Sequence, residues 1–151
     1  GTCSTIFRQK VKQDFPDLNV DIKGRISFDE LKEYYAKSDI GIISSLQEQA
    51  SYVAIEMSMF GMPIVTTAVD GLDEMFTDEV NALKVDTKFS PVFGLSVNVE
   101  KMANQIIRLI NDEKTRNKLS QNIRNLYEQQ LNLELMISRT IKVYKKIVDL
   151  T

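Results

Sequence analysis

Residues 48–56, EQASYVAIE, hold the side chains of this chain best suited to chemistry. Glu48 and Glu56 are carboxylates with seven residues between them, among them Ser51 and Tyr52. An apolar run precedes the segment (DIGII, residues 39–43) and another follows it (PIVTT, residues 63–67). Such runs suit buried parallel strands. Residues 52–60 read as a short helix between them, ended by Gly61. In a parallel α/β sheet, phosphate groups bind where a strand-end loop enters a helix. A helix starting near Tyr52 leaves its first N–H groups, including those of Tyr52 and Val53, without intrahelical acceptors. They carry roughly half a positive charge, so a diphosphate could bind there without a lysine. Glu56 lies about 6 Å further along the helix axis and could accept two hydroxyls, such as those of a ribose. Glu48, on the loop, could accept hydroxyls on the other side. An anion between two hydroxyl acceptors is the chemistry of a nucleotide-sugar. The competing reading makes Glu48 a solvated loop residue and Glu56 a surface residue. Against it, Glu56 sits among Val53, Ala54, Ile55, Met57 and Met59, where an unpartnered carboxylate is costly to bury.

The elements that must position these groups can be read from periodicity. Phe7, Val11 and Phe15 are four apart, with Ile6 beside them, and predict a helix over 4–15 that Pro16 ends. Leu18, Val20 and Ile22 alternate and predict a strand over 18–23. Ser27 and Glu30 form a capping-box pattern opening a helix over 28–37, with Leu31, Tyr34 and Tyr35 inward. Gly71 opens a helical turn, residues 82–85 form a last strand, and residues 86–97 read as a loop containing Pro91 and Gly94. Val99, Met102, Ala103, Ile106, Ile107 and Ile110 have helical spacing. Further helices are expected over 113–130 and 132–149. The order is that of an open α/β sheet with a C-terminal helical appendage.

Composition narrows the function. The net charge is −2, and nucleic-acid or membrane surfaces need a basic face, so no nucleic-acid partner is expected. No apolar run approaches the roughly 20 residues of a membrane span. The absence of histidine excludes Ser-His-Asp and Cys-His catalysis within this chain, together with histidine metal sites. Cys3 is the only cysteine, which rules out an internal disulfide and fits a reducing cytosol. Tyr34 and Tyr35 are expected to pack a core face, and Met57, Met59, Met62 and Met75 to fill it. Lys145 and Lys146 suit a solvated helix C-terminus. The chain opens at Gly1 without methionine or signal sequence, as a piece of a longer protein or a processed product does.

The stretch SSLQEQASYVAIEMSMFGMPIVTTAVDGLDEMFTDEVNALKV resembles the donor-binding half of GT-B fold glycosyltransferases of family 4, the glycosyl transferases group 1 domain. Ser44 and Ser45 match its serine, and Glu48 and Glu56 its two glutamates. Gly61, Pro63 and Val65 match its next strand entry. Asp70, Gly71 and Glu74 match its turn, and Asn81 with Ala82 the turn before its last strand. Upstream, IKGRISFDELKEYYAKSDIGIISS is similar to the family's strand-Gly-helix-strand unit, so the resemblance runs from about residue 18 to the end. It implies a single domain over 1–151 that is part of a C-terminal donor domain. Its fold would be an incomplete Rossmann-like parallel sheet of about four strands, with helices on both faces and a C-terminal helical tail.

The function implied is that of a hexosyltransferase-like, retaining glycosyltransferase, moving a sugar from a nucleoside-diphosphate sugar to an acceptor not readable from the chain. The resemblance puts Glu48, Ala50 and Ser51 at the donor sugar. The backbone of Ser51, Tyr52 and Val53 would hold the diphosphate, Glu56 the ribose, and Gly24, Arg25 and Ile26 would lie near the base. No metal and no other cofactor is expected. The implied place is cytoplasmic, peripheral at the inner membrane through the parent protein, in polysaccharide synthesis. Family members commonly carry Phe-Gly where this chain has Ala50 and Ser51, and glycine where it has Asp70. Serine suits a helix N-cap.

A complete donor domain of this family begins with two further strands, the loop after the first carrying basic residues, and follows an acceptor-binding domain. In the strand order 3-2-1-4-5-6 the two strands would lie between residues 18–23 and 39–43. The expectation is an inactive isolated chain that self-associates through exposed sheet edges. The alternative is a non-catalytic α/β module binding a phosphorylated ligand or a protein partner. A nucleotide-sugar epimerase of the same fold would want a catalytic histidine or paired acids.

Overall fold

The computed structural model describes residues 2–92 and 94–148, with side chains from residue 5 onward. Cys3 and the last residue of the expected 132–149 helix therefore lie outside what can be said of side chains or structure. Two compact units divide the chain, residues 1–36 and residues 37–151.

In the first unit, α1 (Thr2–Asp14) ends ahead of Pro16 as expected. Its apolar stripe faces solvent, with Ile6, Phe7 and Phe15 exposed and Val11 half-buried. Residues 18–23 are not a strand. Alternation shapes an apolar face, but a strand also needs a neighbour for its ladder. Leu18 and Val20 stand exposed with no ladder partner among the described residues. Helix α2 (Phe28–Lys37) starts at Ser27, whose Oγ accepts the Glu30 N–H at 3.2 Å. Tyr35 is buried, but Tyr34 is exposed under the Lys23 ammonium, 5.3 Å from its ring centroid. Its hydroxyl end and that cation keep it at the water boundary.

In the second unit, β1 (Gly41–Ile43), β2 (Ile64–Thr67) and β3 (Leu83–Val85) form a parallel sheet in that order. Gly41 pairs with Ile64, and Val65 with Leu83. Successive side chains of β2 enter opposite faces. Ile64 joins a core with Ile43, Ala54, Leu72, Phe76 and Ile123. Val65 joins another with Leu83, Val85, Met102, Leu109 and Leu119. Each fully buried aliphatic side chain of this size contributes roughly 1.5–3 kcal/mol. Helices α3 (Tyr52–Met59) and α4 (Asp70–Met75) supply the first face, and α5 (Val99–Asn111) the second. Helix α6 (Glu113–Leu126) reaches both, through Ile123 and Leu119.

This is the α/β fold expected, with a parallel sheet covered by helices on both faces and a C-terminal helix. Without the strand over 18–23 the parallel sheet has three strands where about four were expected, and three further details differ. Residues 86–97 are not a loop but an antiparallel hairpin, β4 (Thr87–Ser90) and β5 (Gly94–Val97). Gly94 supplies the positive φ (71°) at its turn, a conformation that glycine adopts without strain. In α5 the buried positions are Met102 and Leu109, whereas Val99, Ala103, Ile107 and Ile110 are exposed. The inward stripe is therefore narrower than the apolar pattern. Past Leu126 the α-helix changes to a π-helical segment, Tyr127–Leu131, before α7 (Leu133–Val148). No helix among the described residues is long and apolar enough to cross a membrane.

Candidate functional site

Parallel strands send their C-terminal ends the same way, so the loops after β1 and β2 emerge together. The first carries Glu48, Ala50 and Ser51 into α3, and the second carries Asp70 and Gly71 into α4. The two loops touch through backbone. The Gly71 N–H donates to the Glu48 carbonyl at 2.8 Å. A Cβ on Gly71 would lie 1.9 Å from the Gln49 carbonyl oxygen, so only glycine fits. Asp70, just before it, holds a positive φ of 37°. Behind it, Leu72 and Phe76 are buried in the core. The Lys84 ammonium ties the helix to β3 through Asp73, at 2.5 Å, and the Phe76 carbonyl, at 3.0 Å.

Glu48 is half-buried beside an open cleft of about 410 Å³ that it lines with Gln47, Gln49 and Ala50. The Ser45 hydroxyl donates toward its Oε2 at 3.4 Å. Ser45 is itself held from β2, because the fully buried Thr67 hydroxyl donates to the Ser45 carbonyl at 2.5 Å.

Ser51 is the N-cap of α3 and is buried. Its backbone is extended (φ −84°, ψ 100°), its Oγ accepts the Ala54 N–H at 3.3 Å and its carbonyl the Ile55 N–H at 3.1 Å. The serine hydroxyl thus occupies the third N–H of the helix. The first two, of Tyr52 and Val53, have no acceptor among the described residues. Both residues are exposed, Tyr52 at 77%. The helix is fixed underneath by Ala54 and Ser58, both fully buried, with the Ser58 hydroxyl returned to the Ala54 carbonyl at 2.6 Å. It ends in a Schellman pair, Met62 N–H to Met57 C=O and Gly61 N–H to Ser58 C=O, each 3.0 Å. Glu56 is half-buried on this helix, one turn beyond the open N–H groups.

The structure therefore gathers Glu48, Ala50, Ser51, Tyr52, Val53 and Glu56 on one loop and the helix it enters. Gly24, Arg25 and Ile26 belong to the other unit. Arg25 is exposed and Ile26 half-buried, and the space around Gly24 is open. Their base-proximal role stays with the sequence resemblance alone. Sequence reasoning missed Thr67. Its one local signal is a second hydroxyl at the end of an otherwise apolar strand, since a buried hydroxyl needs a partner. Asn81 closes the turn before β3, its Oδ1 accepting the Thr77 N–H at 2.8 Å. Glu79 in that turn meets the Arg108 guanidinium through both carboxylate oxygens, at 2.5 and 2.8 Å. The guanidinium holds the Glu79 carboxyl below its ordinary range.

Comparison with known proteins bears on this geometry. The family model described as glycosyl transferases group 1 matches residues 8–126. An uncharacterized glycosyltransferase of Methanocaldococcus jannaschii is 27% identical over 131 residues, covering 87% of this chain and 34% of that protein. Among solved structures, a sucrose-phosphate synthase from Thermosynechococcus elongatus superposes with a TM-score of 0.84 at 22% identity. That match covers 100% of this chain and 36% of the other. Anabaena HepE, solved in complex with UDP-glucose, superposes with a TM-score of 0.79 at 16% identity, over 94% of this chain and 36% of the other. At such identities the structural likeness establishes the fold. The chain spans about a third of the length of the curated relatives it matches.

Proposed function

The chain belongs to the glycosyl transferases group 1 family, and from that premise we propose that it supplies the donor-binding half of a retaining glycosyltransferase. It takes a nucleoside-diphosphate sugar and presents it to an acceptor held by the rest of a longer protein. In the transfer, the bond from the anomeric carbon to the diphosphate oxygen breaks with its electron pair on that oxygen, a bond to the acceptor oxygen forms, and the acceptor's hydroxyl proton passes to the departing diphosphate. The nucleoside diphosphate leaves with the negative charge. The N–H groups of Tyr52 and Val53, at the positive end of α3, face that charge and stabilise it as it develops. Glu48 accepts hydroxyls of the transferred sugar, beside the Ala50 and Ser51 backbone, and Glu56 accepts the ribose hydroxyls. No step in this scheme calls for a metal. Turnover belongs to the longer protein, and this chain alone binds donor without transferring it.

The observation that carries the reading is the contact between the two strand-end loops. The Gly71 N–H bond to the Glu48 carbonyl fixes the loop that enters α3, and that loop carries the half-buried Glu48 three residues ahead of the N-cap Ser51. HepE, which shares the fold, was solved with UDP-glucose, and that supports a nucleotide-sugar as the ligand class. Calorimetric titration of the complete protein with UDP- and GDP-sugars tests the assignment. Glu56→Ala is expected to weaken donor binding by about 2 kcal/mol, roughly thirtyfold, the worth of hydrogen bonds to a charged acceptor. Undiminished affinity in that variant would remove Glu56 from the ribose.

A further inference from the structure

We infer that Thr67 is a positioning residue for the donor sugar: from the end of β2, it sets the Glu48 carboxylate through Ser45. This rests on the assignment of Glu48 to the sugar and deepens it. Thr67 is fully buried. Valine would fill the same volume in this apolar strand, so the hydroxyl is there for its hydrogen bond. That bond goes to the Ser45 carbonyl, 2.5 Å away and 22 residues back in the chain. Fixing the Ser45 peptide aims the side chain of the same residue, and the Ser45 Oγ donates to Glu48 Oε2 at 3.4 Å. The backbone of Glu48 is held from the same strand end, by the Gly71 N–H on its carbonyl at 2.8 Å. The loop after β1 is thus anchored at Ser45 and at Glu48 by residues 67 and 71, which lie either side of the turn leaving β2. A carboxylate held in this way meets the sugar hydroxyls with little ordering left to do on binding.

A role in positioning separates from a role in folding by what it discriminates. Glu48 touches only the sugar, so Thr67 should act on nucleotide-sugar affinity and not on nucleoside-diphosphate affinity. The measurement is calorimetric titration of the complete protein with UDP-glucose against UDP, and with GDP-mannose against GDP, beside thermal unfolding of each variant. Thr67→Val is expected to weaken nucleotide-sugar binding about tenfold while nucleoside-diphosphate binding holds within about twofold. Thr67→Ser, which keeps the hydroxyl, is expected to restore it. Ser45→Ala, which removes the second link from a half-buried position, is expected to reproduce the selective loss and decides the matter if Thr67→Val does not fold. A Thr67→Val protein that melts earlier but keeps the sugar-to-diphosphate affinity ratio would overturn the inference, as would Ser45→Ala with that ratio unchanged. Glu48→Gln separates the two levels. An unchanged ratio there removes Glu48 from the sugar and both readings fall together. A changed ratio there with unchanged Thr67 and Ser45 variants sinks this inference alone.

Discussion

Ser51 does two things at the entry of α3. Its hydroxyl takes the Ala54 N–H, which satisfies the helix end, and it thereby withholds that N–H from a ligand. Two variants pull these effects apart. Ser51→Ala removes the cap and is expected to cost about 1 kcal/mol in urea unfolding. Ser51→Gly costs only a few tenths by the same comparison and frees the Ala54 N–H as a third donor. Nucleoside-diphosphate binding to Ser51→Gly is therefore expected to be at least as tight as to the parent protein, read by calorimetry. A tenfold weakening in the glycine variant would mean that the hydroxyl itself touches the phosphate. Glu56 stood out in the sequence as a carboxylate in an apolar helix, and Glu48 and Ser51 by their place on the loop between an apolar run and that helix. Thr67 was not, because its partner Ser45 follows the neighbouring strand, 22 residues back, and no local pattern reports a contact of that range.

The site depends on two short elements held close. Gly71 lets α4 approach the Glu48 loop closer than any side chain would allow, since its Cβ would fall 1.9 Å from the Gln49 oxygen. Backbone cannot yield there as a flexible side chain would. Gly71→Ala is expected to push the loop away, lower stability by about 1–3 kcal/mol and abolish sugar discrimination. Heat denaturation beside the paired UDP-glucose and UDP titrations checks both effects. Element prediction succeeded where the sequence carried a stop. Gly61, with φ 65°, ends α3, and Pro63 opens the next strand. It failed where pairing decides. The alternation of Leu18, Val20 and Ile22 has an apolar face and no ladder partner among the described residues. The polar, short segments of β4 and β5 read as loop because only their mutual ladder makes them strands.

At the scale of the chain, apolar surface remains uncovered. Ile137, Ile141, Tyr144 and Val148 share a face of α7, and all are exposed. Strand β1 has a ladder partner on one edge only among the described residues. An apolar helix face and an open strand edge favour association. Light scattering on the 151-residue chain alone is expected to show a mass that rises with concentration above the 17.3 kDa of a monomer. A constant monomer mass up to high micromolar concentration would count against the edges as contact surfaces. The layered α/β plan was legible from the order of apolar runs and helices, since a parallel sheet demands that order. The division into two compact units was not, because nothing in composition changes near residue 36. The claim on which the rest turns is that a diphosphate rests on the open N–H groups of α3. Backbone amide NMR of the complete protein during titration with UDP or GDP tests it most directly. The largest amide shifts are expected at Tyr52 and Val53, with smaller ones through residues 45–51. Saturable binding that leaves the Tyr52 and Val53 amides unmoved would contradict it.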